Sequence, residues 1–182
     1  MTQVLFIQGG GEGTHDEWDN KLVGSLRREL GSGYEVRYPR MPNEAEPSYA
    51  TWKAALAEEM ADLDDGAIVV GHSIGGTILI NALAETPSKR KLAGIFLVAA
   101  PFVGEGGWPS DDIRSMADLG ARLPPKTAVH LYHGSEDETA PLAHADLYAA
   151  AIPRAIVHRL PGRDHQFNDN LSEVAADIRG LR

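Results

Sequence analysis

The sequence predicts an α/β fold: a doubly wound, mostly parallel sheet of six strands, flanked by helices on both faces, in one domain over residues 1–182. Two features carry this expectation. Continuous apolar runs recur at Val4–Ile7, Ala67–Val70 and Leu92–Ala100, without the polar alternation of a strand that has one wet face. Such runs mark strands covered on both sides. Between them lie segments with apolar residues at helical spacing, so strand and helix alternate along the chain, the order that builds a parallel sheet.

Composition narrows the function classes. At 182 residues, 43% hydrophobic and 24% charged, the chain can bury a substantial core. A formal net charge of −9 and a pI near 5.2 argue against nucleic acid or an anionic membrane as a partner, because phosphate binding needs a basic face. No cysteine is present, which removes disulfides, thiolate catalysis and cysteine-bound metals. The opening MTQVLFIQGGG has no basic leader and reads as a strand rather than a signal peptide. No run approaches the roughly 20 apolar residues of a membrane span. The expected location is the cytoplasm.

The elements follow in order. Val4–Ile7 is a buried strand that opens into Gln8-Gly9-Gly10-Gly11-Glu12-Gly13. That loop lacks the spacing of a dinucleotide fingerprint and the Lys-Ser/Thr of a phosphate loop, so close backbone approach to a ligand is the functional reading and a flexible turn the plain one. A helix capped by Thr14 or Asp16 is expected through Trp18, Leu22, Leu26 and Leu30, with Trp18 in the core or a pocket wall. Tyr34–Tyr38 alternates and suggests an edge strand, and a second helix runs from Ser48 to Leu63. Ala67–Val70 leads through Gly71-His72-Ser73-Ile74-Gly75-Gly76 into a third helix. Leu92–Ala100 is the next strand, and its following loop holds Phe102, Val103 and Trp108, which read equally as pocket wall or as loop packing. Asp111–Leu119 suggests a short helix. Thr127–Tyr132, a helix through Leu142–Ala149, Ala155–Leu160 and a helix striped by Leu171, Val174, Ala175 and Ile178 complete the chain.

The chemistry gathers at Ser73. Gly-x-Ser-x-Gly between a buried strand and a helix fits a nucleophile elbow, in which the serine sits at a strained turn and the helix N-terminus points free N–H groups above its hydroxyl. The Ile74 amide is one such donor to an oxyanion. Glycine-rich turns with a serine also occur as plain connections, so the pattern needs a base and an acid. Of the seven histidines only His165 lies in a loop after the last strand. Asp137 follows the preceding strand, with Glu136 and Glu138 as neighbouring rivals, while Asp164 is too close to His165 to orient it. Ser73, Asp137 and His165 then fall in the order of a serine–carboxylate–histidine set, each at the C-terminal end of a strand.

These motifs resemble the α/β-hydrolases over nearly the full length of the chain: GHSIGG the elbow, HGSEDETAP the acid turn, GRDHQF the histidine loop. The opening IQGGGEGTHDEW and the helix YATWKAALAEEM are similar to the small serine hydrolases of the retinoblastoma-binding protein 9 group. The resemblance implies a minimal α/β-hydrolase that cleaves a small ester, thioester or amide by way of an acyl-enzyme. Where that family carries His-Gly after its first central strand, this chain has Gln8-Gly9; the match points to Gly10 as the second oxyanion donor and leaves Gly9, Gly10 and Gly11 open. Gly9, Phe102 and Trp108 are the expected substrate contacts. No cofactor is implied, and no His-x-x-x-His or comparable spacing suggests a catalytic metal. The expected partner is a small acyl substrate; a protein-binding module on the same frame is the competing reading, and an intact Ser73–Asp137–His165 set counts against it as the sole role.

Overall fold

Six parallel strands form one sheet in the computed structural model, which describes residues 1–181. In chain order they are β1 (Thr2–Ile7), β2 (Tyr34–Arg37), β3 (Ala67–His72), β4 (Leu92–Val98), β5 (Ala128–Gly134) and β6 (Ile156–Leu160). Six α-helices connect or follow them: α1 (Asp19–Leu30), α2 (Tyr49–Ala61), α3 (Ile74–Glu85), α4 (Leu119–Arg122), α5 (Ala143–Ala151) and α6 (Ser172–Gly180). The spatial order is β2-β1-β3-β4-β5-β6, with every neighbouring pair parallel.

Period-two alternation explains the apolar runs. Val4 and Phe6, Ile68 and Val70, Phe96 and Val98 enter a core shared with α1 and α6. Leu5 and Ile7, Val69, Ile95 and Leu97, Val129 and Leu131 enter a second core shared with α2, α3 and α5. Each central strand therefore serves two apolar layers and has no wet face. The edge strands differ, as their sequences do: β2 is half polar, and Ile156 on β6 is 53% exposed. Among the described residues no helix is long and apolar enough to cross a membrane.

Strand order positions the site. The chain leaves β1 toward β2, returns across β1, and continues from β3 in the other direction. Loops at the C-terminal ends of β1 and β3 therefore diverge and leave a crevice, where open parallel sheets bind ligands. The glycine-rich loop follows β1 and the serine turn follows β3.

Two local expectations are corrected. Trp18 is 51% exposed instead of buried. A π-helical turn, Thr14–Trp18, precedes α1; its extra residue per turn shifts the helical phase, and the buried stripe starts at Leu22. The expected helix at Asp111–Leu119 is replaced by bends, with α4 beginning only at Leu119. There the Ser110 hydroxyl accepts the N–H groups of Asp112 (3.2 Å) and Ile113 (2.9 Å), which diverts backbone donors from a helix.

Trp52 on α2 is the largest fully buried side chain, and its indole N–H donates to Pro42 O at 2.7 Å. It thus anchors the segment 40–47, which borders the crevice, to the main body. Trp52→Ala is expected to cost about 3–5 kcal/mol of unfolding free energy, measured by urea denaturation.

Candidate active site

Ser73 has φ 52° and ψ −133°, a backbone state that costs a non-glycine residue about 1–3 kcal/mol. Its surroundings hold it there. The Ser73 N–H donates to Val98 O (2.9 Å), and its C=O accepts the N–H groups of Gly76 (2.9 Å) and Thr77 (3.2 Å). The turn is possible only because α3 begins against the end of β1: a Cβ on Gly75 would lie 2.0 Å from Gln8 O. No side chain fits that gap, so glycine is the residue that allows strand and helix to approach.

Asp137, His165 and Ser73 form one hydrogen-bonded line. His165 Nδ1 lies 2.8 Å from Asp137 Oδ2, and His165 Nε2 lies 2.8 Å from Ser73 Oγ. The other oxygen of Asp137 accepts the N–H groups of Thr139 (2.9 Å) and Ala140 (2.8 Å). Burial pushes the Asp137 carboxyl up, but the bonds from His165 and from the two amides outweigh it and hold the group below its usual range. An ionised Asp137 only accepts, so the Nδ1 proton faces it and the Nε2 lone pair faces the serine hydroxyl. Glu136, Glu138 and Asp164 are exposed, and none of them hydrogen-bonds His165.

The glycine-rich loop packs directly on this line. A Cβ at Gly9 would be 3.2 Å from Ser73 Cβ, and one at Gly10 would be 3.0 Å from Ile74 Cγ2. Gly9 N–H donates to Asp19 Oδ2 (2.7 Å) and Gly11 N–H to Glu44 O (2.6 Å). Among the described residues the N–H groups of Gly10 and Ile74 have no protein acceptor. Two of the three candidate glycines are thus committed elsewhere, and Gly10 and Ile74 present the free amides beside Ser73. Gln8, fully buried, ties in the 40–47 segment: its amide donates to Glu44 Oε2 (2.7 Å) and its carbonyl accepts from Met41 N (2.8 Å). Glu44 also accepts from Gly13 and His15 N–H, both at 3.0 Å.

A buried pair beneath the site has no signature in the sequence. Asp19, with no exposed surface, accepts from His72 Nδ1 (2.9 Å), Gly9 N (2.7 Å) and Gln166 Nε2 (2.7 Å). His72 Nε2 lies 2.9 Å from His165 O. A carbonyl and a carboxylate are both acceptors, so His72 carries protons on both nitrogens. Burial pushes the His72 imidazole down, yet the charge of Asp19 and its hydrogen bond raise it overall; burial pushes Asp19 up, yet the His72 charge leaves it lowered. Both shifts favour the ion pair. His72 points away from Ser73, as its place beside the elbow suggests, and its ring instead supports the backbone of the histidine loop.

That loop is further constrained. Phe167, Asn168 and Asp169 have φ of 53°, 52° and 54°, a left-handed turn of non-glycine residues. Arg163 holds it, donating to Phe167 O (3.0 Å) and Asn170 O (3.3 Å) and pairing with Glu173 on α6 (2.5 Å). Phe102 and Trp108 lie in the loop after β4. Phe102 packs edge-on against Tyr148 and Trp108 against His144, both on α5. Trp108 also borders an open cavity of about 470 Å³ lined by Val103, Pro109 and Ile113.

Comparison with known proteins bears on the family and the fold. A family model described as serine hydrolase matches residues 5–166. No curated protein matches the sequence significantly. Among solved structures, the ydeN gene product of B. subtilis is similar at 18% identity with a TM-score of 0.78, over 100% of this chain and 98% of that one. CarC, a serine hydrolase involved in carbazole degradation, is similar at 13% identity with a TM-score of 0.75, over 100% and 92%. XC6422 from Xanthomonas campestris, described as a serine hydrolase without a lid, is similar at 17% identity with a TM-score of 0.66, over 98% and 79%. At these identities the likeness is one of fold, a six-stranded α/β-hydrolase arrangement.

Asp19→Asn removes the counter-charge of His72 while keeping an acceptor for Gly9, and is expected to cost about 3 kcal/mol. The depressed Asp19 and Asp137 carboxyls contribute stability that is present above pH of about 3.9 and lost as pH falls through their lower folded values. The raised His72 contributes below about pH 6.5 and is lost as pH rises through its folded value. Urea titrations across this range should therefore show a shallower acid-side loss in Asp19→Asn than in the wild type.

Proposed function

As a member of the serine hydrolase family, whose model covers residues 5–166, this chain is a hydrolase, and we propose that it cleaves small esters, or the related thioesters and amides, through an acyl-enzyme on Ser73. The observation that carries this reading is the Asp137–His165–Ser73 line, with both contacts at 2.8 Å. A serine hydroxyl is a weak nucleophile without an adjacent base, and this line supplies one whose tautomer is fixed.

The steps follow from the atoms present. Ser73 Oγ attacks the acyl carbon as His165 Nε2 takes its proton. Asp137, already accepting the Nδ1 proton, stabilises the imidazolium that results. Negative charge on the former carbonyl oxygen accepts from Ile74 N–H and Gly10 N–H, which have no protein acceptor among the described residues. The positive end of α3, which begins at Ile74, lies on the same side. Collapse returns the His165 proton to the leaving group, which departs as an alcohol, thiol or amine. Water then gives a proton to His165 and attacks the acyl carbon, and the acid leaves as Ser73 regains its proton. His72 and Asp19 act through the loops they hold, not on substrate.

The substrate class rests on the space around Ser73. Gly9 lies against the serine, and Pro47 lies 2.6 Å from where a Gly10 Cβ would be, so the glycine loop and the 40–47 segment pack closely beside Ser73, which favours a small acyl group. No helical cap is inserted between β4 and β5; only α4, four residues long, stands there. The lid-free description of the Xanthomonas neighbour fits the same arrangement. The sequence motifs of the retinoblastoma-binding protein 9 group support placement in that subgroup. Phe102 and Trp108, in the loop after β4 at the same end of the sheet as Ser73, are the further candidate substrate contacts.

Labelling with a fluorophosphonate probe tests the reading. The wild type should label, Ser73→Ala should not, and Asp137→Asn should lower ester turnover by about 10³–10⁴-fold. A folded wild type that neither labels nor turns over p-nitrophenyl acetate would overturn it. Acetyl and butyryl esters should be hydrolysed faster than long-chain esters; the reverse order, measured as kcat/KM across a chain-length series, would sink the small-substrate assignment.

A further inference from the structure

Away from Ser73, β5, β6 and α6 bring together side chains that lie far apart in the sequence. His130 Nδ1 is 3.1 Å from His158 Nε2, His158 Nε2 is 3.4 Å from Asp177 Oδ2, and His130 Nδ1 is 3.9 Å from the same oxygen. The Tyr132 hydroxyl donates to Asp177 Oδ2 at 2.6 Å. The cluster forms because β5 and β6 pair in register, with Tyr132 opposite His158, and because His130 and Tyr132 are two residues apart on one face.

We propose that His130, His158 and Asp177 form a binding site for a divalent d-block cation, Zn²⁺ in the first instance, distinct from the serine site. The geometry carries the argument. The three ligand atoms make a triangle with sides of 3.1, 3.4 and 3.9 Å. The point in its plane equidistant from all three lies about 2.0 Å from each, the length of Zn–N and Zn–O bonds. Two imidazoles and one carboxylate suit Zn²⁺, Ni²⁺ or Cu²⁺, and are a poor set for Mg²⁺ or Ca²⁺, which prefer oxygen ligands. A water would complete the shell at the fourth position.

Without an ion, one proton shared by the two facing nitrogens and the Tyr132 hydroxyl proton serve the three atoms. A cation would take the place of the shared imidazole proton and draw all three atoms to one point. The ligands are also held in place before it binds. His130 stacks on Phe96 with ring centroids 4.7 Å apart, His158 stacks on Tyr132 at 4.3 Å, and Tyr132 fixes the carboxylate. Access is from the side of His158 and Asp177, whose side chains are 24% and 34% exposed.

The site has a structural consequence. His158 lies on β6 and Asp177 on α6, the two elements that flank the loop carrying His165. A bound ion would tie both ends of that loop to β5.

Isothermal titration of untagged full-length protein with ZnCl₂ in a non-chelating buffer tests the proposal. One ion should bind per chain at micromolar affinity or tighter, and the thermal midpoint should rise with Zn²⁺. His158→Ala and Asp177→Asn, both partly exposed and safe for folding, should each weaken binding by at least about tenfold and abolish the thermal shift. His165→Ala should leave both unchanged. Absence of Zn²⁺ binding, binding that survives both His158→Ala and Asp177→Asn, binding lost in His165→Ala, or equal binding of Mg²⁺ would each overturn it.

Discussion

Asp19 stands at the first position of α1, fully buried, and three groups converge on its carboxylate: the amide of Gly9, the imidazole of His72 and the side chain of Gln166. Each comes from a different segment: the loop following β1, the last residue of β3 before the serine turn, and the loop carrying His165. A buried charge is costly unless it is paired and fully hydrogen-bonded. The three segments are thus held together by the requirement that this carboxylate be satisfied. Displacing any one of them would leave a charge in a low-dielectric interior with a partner missing.

The serine site inherits its accuracy from that constraint. Ser73 pays backbone strain at φ 52°, and the histidine loop adds a left-handed turn at Phe167–Asp169. Strained segments persist only where their surroundings over-determine them. Here α3 is locked against β1 through Gly75, and the histidine loop is locked by Arg163 and by His72. Proton positions follow by counting acceptors. Asp137 sets the tautomer of His165, and Asp19 with the His165 carbonyl sets the charge of His72, so two histidines 5.2 Å apart are given opposite tasks by their partners.

The same sheet supports a second polar cluster with a different character. Around Ser73 the side-chain groups of Asp137, His165, Asp19 and His72 are all hydrogen-bonded, while the Gly10 and Ile74 amides have no protein acceptor among the described residues. Around His130, two imidazole nitrogens and a carboxylate oxygen converge on one point instead. The first arrangement suits a developing anion and the second a cation. Both arise where parallel strands place side chains at regular spacing and a helix or loop closes over them.

How much could be read from the chain depended on whether the relevant physics is local. Continuous apolar runs specify strands covered on both faces, so the doubly wound sheet and its alternating helices were legible. Gly-x-Ser-x-Gly is a local steric requirement, and it placed the serine turn. Asp137 and His165 were legible because each follows a strand, and strand ends share a rim in a parallel sheet. Trp18 and the Asp111–Leu119 segment were misjudged because a π turn and a serine side chain altered backbone phase in ways no apolar pattern records. The Asp19–His72 pair, the commitment of the Gly9 and Gly11 amides that leaves Gly10 free, and the His130–His158–Asp177 cluster were decided by tertiary structure alone. Each joins residues from separate elements, and a polar side chain reads alike in sequence whether it meets water or a buried partner.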